Sequence, residues 1–177
     1  MISKSLSFIL PFLIFFFHQN NSFANEWTSS GGSSSNHQYS DLDQINIKNL
    51  KNLHKAWEIN SIENKYHEVQ TNPIYHNGYL INTHNQDLVF INMDNGKIEY
   101  KIKLEDPVAR HGLTIHNDIV YIPSGKGIAL VDFKMKKLIK IIGNLPYFLS
   151  PIIANDNILS VSFNTLLLNP ETYQIIT

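Results

Sequence analysis

No cysteine occurs among the 177 residues. Its absence rules out disulfides, a thiolate-held zinc site, a cysteine nucleophile and lipid attachment through an N-terminal cysteine. Neither sign of charge prevails, with 14 Lys and Arg against 15 Asp and Glu. Nucleic-acid binding and polybasic attachment to a membrane both need clustered positive charge, so the balance argues against them. No Gly-x-Ser-x-Gly elbow is present. Gly125-Lys126-Gly127 has neither the spacing nor the following helix of a phosphate loop. Beyond residue 70 no helical periodicity of useful length occurs. What is present is enough apolar residue, 43% of the chain, to build a packed core for about one domain of ordinary size.

The N-terminus stands apart. Lys4 precedes the uncharged run SLSFILPFLIFFF at 5–17, shorter than the roughly 20 residues of a spanning helix. Ser22 and Ala24 occupy the minus-three and minus-one places of a cleavage site. The pattern predicts a signal peptide over 1–24 and an exported, periplasmic mature chain from residue 25, with an uncleaved membrane anchor as the alternative.

From 25 to 40 the chain is polar and rich in Gly and Ser. Ile47, Leu50 and Leu53 then fall three apart behind Asn46, which predicts about two turns of helix with Asn46 as N-cap. HKAWEIN follows as a strand centred on Ala56 and Trp57. After residue 70 short apolar segments alternate with turn residues. His76-Asn77-Gly78 is a hairpin signal, because Asn and Gly tolerate positive φ.

The order of turns repeats. Asn77, Asn117 and Asn155 recur at intervals of about 40 residues, and so do Asn92, Asp132 and Asn169. Two independent landmarks with one period, four short strands to each, define an all-β propeller of four-stranded antiparallel blades. One blade cannot bury both its faces, so blades must stack on neighbours. Three blades fit over 70–177, the last expected without its outermost strand. A closed ring needs about four or more, so a continuation of the chain or a partner chain is expected to complete it.

WTSSGGSSSNHQYSDLDQINIKNLKNLHKAW resembles the start of the dehydrogenases that depend on pyrroloquinoline quinone (PQQ) and oxidise alcohols or glucose. The matching residues are Trp27, Gly31, Gly32, Asn36, Tyr39, Ser40, Leu42, Gln44, Ile45, Asn46, Leu50, Leu53, Ala56 and Trp57. QTNPIYHNGYLI looks like the first inner strand of that family, and PVARHGLT like the opening of its second blade. LVFINMDNGKIEY looks like its blade motif, with Asn92 where Asp is usual and Tyr100 where Trp is usual. Lys140 takes that Trp position in the next repeat. The resemblance implies an eight-bladed ring, of which about three blades are present, and a lead-in over 25–69 whose strand at Trp57 closes against the last blade.

The family resemblance also implies PQQ with calcium on the propeller axis, the ion acting as Lewis acid and a carboxylate as base. It places Gln70 and the Arg110-His111 pair against the cofactor. Arg is usual at the position of His111, so the guanidinium is displaced by one residue, and a one-residue shift in extended chain reverses the direction of a side chain. The catalytic base and calcium ligands of the family come from later blades, so no residue here is assigned to either role. The structural readings stand beside these. Gln70 could bond backbone at a strand start, and Arg110 and His111 could form a solvated loop. His76, His84 and His116 lie near turns with no shared spacing. Asp94, Asp118 and Asp132 are turn formers.

Two functions remain. The first is the N-terminal portion of an exported PQQ dehydrogenase acting on an alcohol or sugar, without activity alone. The second is a non-enzymatic scaffold built of the same repeat, like the outer-membrane assembly lipoprotein, which binds protein partners. The weakened blade motif favours the second, and the lead-in favours the first.

Overall fold

The computed structural model describes residues 26–59, 71–84, 87–104, 112–143, 151–161 and 165–176. It contains three four-stranded antiparallel sheets, each built from four consecutive strands in chain order. The first comprises β1 (Ile74–His76), β2 (Tyr79–His84), β3 (Asp87–Asn92) and β4 (Ile98–Lys103). The second comprises β5 (Thr114–His116), β6 (Ile119–Ser124), β7 (Gly127–Asp132) and β8 (Lys137–Ile142). The third comprises β9 (Ile152–Ala154), β10 (Asn157–Val161), β11 (Thr165–Asn169) and β12 (Gln174–Ile175). These are three blades of a β-propeller.

Turn chemistry sets the register. The first hairpin of each blade turns on left-handed residues: Asn77 and Gly78, Asn117 and Asp118, Asn155 and Asp156. This geometry matches the twist of the flanking strands. In the turn between third and fourth strands, the side chains of Asn92, Asp132 and Asn169 accept backbone N–H groups from Asp94, Met135 and Glu171 at 2.8–2.9 Å. Each such turn then passes through one left-handed residue: Gly96, Lys136 or Tyr173.

Period-two alternation places the core. In β6, Val120 and Ile122 face the first blade, whereas Ile119 and Tyr121 face the third. In β7, Ala129 and Val131 face the first blade, and Ile128 and Leu130 the third. All six residues of β6 are buried. A strand covered on both faces reads as a continuous apolar run, which is how IVYIPS and GIALVD look in the sequence. The first seam adds Ile74, Ile81, Leu88, Phe90, Leu113 and Ile115. The second adds Ile158 and Leu168 from the third blade, with Ile153 and Tyr173 packed against them.

Two expectations need correction. The third blade does possess a fourth strand, although β12 has two residues where β4 and β8 have six. It was hidden because Gln174–Ile175 is too short to show alternation. The helix before Trp57 is a single 3₁₀ turn, Leu50–Asn52, and its N-cap is Asn49 rather than Asn46. Asn46 instead exchanges bonds within the turn, receiving Lys48 N–H on its side chain and giving its own N–H to Asn49 Oδ1. Ile47, Leu50 and Leu53 are exposed. An amphipathic face with nothing packed on it supplies little of the energy that nucleates a helix.

Candidate functional site

The innermost strands define the axis. The lead-in pairs with two of them at once: Trp27 bridges Tyr75 of β1 and Ser29 bridges Thr114 of β5, both antiparallel. One short segment antiparallel to both strands requires β1 and β5 to run in the same direction. The segments entering them therefore arrive at one end of the axis. At that end the Thr83 hydroxyl donates to the Thr71 hydroxyl at 3.2 Å, and the buried Thr114 hydroxyl donates to the Pro151 carbonyl, tying the second blade to the third.

The expected cofactor residues Gln70, Arg110 and His111 lie outside the described residues. Among the described residues no three His, Asp or Glu side chains converge as metal ligands. The Thr83 and Thr114 hydroxyls already donate to protein oxygens.

The other end of the inner strands holds a connected group of charges. His76 ends β1. Its Nδ1 lies 2.6 Å from Glu26 Oε2, and its Nε2 lies 3.2 Å from Asp118 Oδ1. Glu26 Oε1 accepts the Asn77 N–H at 3.1 Å. Lys134 Nζ lies 2.6 Å from Asp118 Oδ2. That ammonium holds the Asp118 carboxyl below its usual range against partial burial, and His76 adds in the same direction. The His76 ring meets the Phe133 ring edge-on, with centroids 4.6 Å apart. Sequence reasoning gave Asp118 only its turn role and gave Glu26 none. The lone cue was the turn position of His76, which does not reveal two partners remote in the chain.

The lead-in then folds over itself. Gly31 has no Cβ, and Asn36 Oδ1 lies 1.6 Å from where one would sit. Only glycine lets that amide close over the turn. A cleft of about 340 Å³ opens beside this knot, lined by Glu26, Trp27, His37, Tyr39 and Asp41 among others.

A further set of contacts links each outer position to the left-handed turn residue of the following blade. Trp57 lies over Gly96, so that a Cβ on Gly96 would stand 2.5 Å from the indole. The indole N–H donates to the Met93 carbonyl at 2.9 Å. At the next seam Tyr100 and Lys136 occupy these two places. Lys136 Nζ sits 3.5 Å from the centroid of Phe133, 4.7 Å from Phe90, 4.9 Å from Tyr79 and 5.4 Å from Tyr100. It also donates to the Phe133 carbonyl. Burial lowers the pKa of this ammonium below its ordinary value. At the seam between the second and third blades the chemistry is reversed, with Lys140 Nζ 5.2 Å from the centroid of Tyr173.

Three four-stranded antiparallel blades stacked side by side, with two inner strands bridged by an N-terminal lead-in, define a β-propeller. The family model described as glucose/ethanol/alcohol dehydrogenase, beta-propeller domain, of the PQQ type, matches residues 27–135, well over half of the chain. The chain belongs to that family. Among solved structures it is similar to quinohemoprotein alcohol dehydrogenase ADHIIG from Pseudomonas putida HK5, with a TM-score of 0.72 at 16% identity over 86% of this chain and 26% of that one. A europium-containing methanol dehydrogenase gives 0.72 at 16% identity over 88% and 32%. BamB from Moraxella catarrhalis gives 0.52 at 19% identity over 62% and 34%. The chain thus spans about a quarter to a third of the length of these proteins. No curated protein matches it in sequence. Among the described residues no helix is long and apolar enough to cross a membrane.

Proposed function

We propose that the chain is the N-terminal part of an exported, periplasmic PQQ-dependent dehydrogenase that oxidises an alcohol or sugar, and that it is inactive by itself. Residues 1–24 serve as signal peptide, 25–69 as lead-in and closing strand, and 70–177 as the first blades. The observation that carries this reading is the match of the dehydrogenase propeller family over both the lead-in and the blades. Gln70 precedes β1 in sequence, and Arg110 and His111 precede β5. The shared direction of those two strands supports a common end for the three residues. There they would face the quinone, Gln70 through its amide and Arg110 or His111 through charge toward its carboxylates. PQQ, when bound, would supply the hydride acceptor, and calcium would serve as a Lewis acid. The base, the calcium ligands and the remaining blades would come from further sequence or from a partner chain.

The test is to titrate PQQ with calcium into the 177-residue chain and into a protein extended in frame to a full ring. Saturable one-to-one binding and dye-coupled oxidation of ethanol or glucose are expected only of the extended protein. An extended ring that binds no PQQ would overturn the reading.

A specific observation favours a second function, a partner-binding scaffold. Tyr100 and Lys140 replace the family's Trp, and Lys136 and Tyr173 occupy the place held by Gly96 in the first blade. Such a ring would retain its shape without the cofactor and would capture protein partners by its loops and strand edges.

A further inference from the structure

His76 stands between two carboxylates that belong to different parts of the fold. Glu26 comes from the lead-in, and Asp118 from the β5–β6 turn of the second blade. A neutral imidazole carries one N–H and can satisfy only one of them. Its second nitrogen then turns a lone pair toward a carboxylate oxygen. The imidazolium carries two N–H groups and satisfies both. Among the groups in direct contact, the neutral ring leaves two carboxylates against the single ammonium of Lys134, and the charged ring balances them. Phe133 closes the ring's edge. Beyond it Lys136 lies over the Phe133 ring, and Asp132 acts on both lysines.

Glu26 is adjacent to the residue that anchors the lead-in. Trp27 N–H donates to the Tyr75 carbonyl at 3.0 Å, and Tyr75 N–H returns a bond to Trp27 at 2.9 Å. Thr28 accepts the Ile115 N–H at 2.8 Å. The same few residues thus span the lead-in, the first blade and the second.

We propose that His76 is the pin of a pH-sensitive clasp that fastens the lead-in across the ends of the first two blades, closed with the imidazolium and slack with the neutral ring. The sign follows from the donors. Proton binding stabilises the closed form, so the contribution is present on the acid side and disappears as the pH rises. It also disappears in strong acid, once the carboxylates themselves are protonated. The clasp is independent of the quinone reading, because none of its members is a proposed cofactor residue.

Hydrogen exchange in the full chain tests it, after correction for the intrinsic pH dependence of exchange. Protection of the Trp27, Tyr75 and Ile115 amides should fall several-fold between about pH 5 and about pH 8, while the β7 amides hold constant. The response should vanish in His76→Gln. A flat profile in the wild type, or the same slope in His76→Gln, overturns the clasp. Should His76→Gln fail to fold, Glu26→Gln decides. It keeps an acceptor without the charge, so a reduced slope supports the clasp and an unchanged slope overturns it. Nitrogen-resolved NMR of the ring gives an answer without any variant. The ring must carry protons on both nitrogens where protection is high and on one where it is low, and any other order overturns the proposal.

Discussion

The seam between the first and second blades and the seam between the second and third use the same two positions with opposite chemistry. In the first, the outer strand offers a ring, Tyr100, and the turn offers an ammonium, Lys136, enclosed by four aromatic rings. In the second, the outer strand offers an ammonium, Lys140, and the turn offers a single ring, Tyr173. The Trp57–Gly96 pair is the third form, an indole laid on a residue without a side chain. What persists through all three is the backbone device, a left-handed residue presented by each turn to the outer strand before it. Once that geometry exists, the attraction can be dispersion against a bare glycine or cation–π attraction with the ring on either side. The cost is conformational. Lys136 and Tyr173 hold a left-handed backbone that costs an L-residue about 1 kcal/mol or more, whereas Gly96 holds it with little penalty.

Four tests break or sharpen this contrast. The largest effect belongs to Phe90→Ala. Phe90 is fully buried and lies under the ammonium of Lys136 and against Tyr79, Tyr100 and Phe133. Losing it should cost about 3–5 kcal/mol in denaturant unfolding, and the aromatic seam should open before the second one. Gly96→Ala comes next. The added methyl meets the indole of Trp57 and the φ of +69° disfavours it, for a loss of about 1–3 kcal/mol. An accompanying shift in Trp57 emission would locate the damage, and an unchanged emission spectrum would refute the docking of the indole.

Exchanging partners is subtler. Tyr100→Lys and Lys136→Tyr should each destabilise alone, and the double variant should recover about 0.5–1 kcal/mol of coupling. Additive losses would mean that the two positions do not recognise each other. The smallest effect is a pH dependence. Tyr79 donates to Glu99 Oε2 at 2.7 Å, and that bond, with burial, raises the phenol from 10.0 to about 12. The unfolded chain therefore ionises this phenol first. Stability should fall as the pH rises from 10.0 toward 12. Tyr79→Phe should decline less steeply over that interval, and identical alkaline unfolding curves would remove the Glu99 bond from the account.

Much of the architecture was legible because it depends on local chemistry. Asn-Gly and Asn-Asp announce left-handed turns by their own preferences, and their spacing announces blades. The docking exchange was not legible. Lys136 in the sequence is an ordinary turn lysine, and only the stacked blade brings four rings to it. The helix at 46–53 was overestimated because periodicity records an apolar face but not whether anything covers it. At the predicted strand around Trp57, residues 53–59 belong to no strand among the described residues, and the indole is seated on the first blade. As for the candidate site, the family resemblance nominated Gln70, Arg110 and His111, all outside the described residues. It gave no hint of the Glu26–His76–Asp118 cluster, whose members meet across remote parts of the chain.

The pairing of Trp27 with Tyr75 and of Ser29 with Thr114 also governs the order of assembly. These contacts join parts of the described chain that are remote in sequence, and loop closure makes such contacts slow to form. A chain emerging from its N-terminus presents the lead-in first, but the lead-in has no seat until the second blade has been synthesised. The lead-in thus settles after the two blades it bridges, and its arrival certifies that they have already stacked.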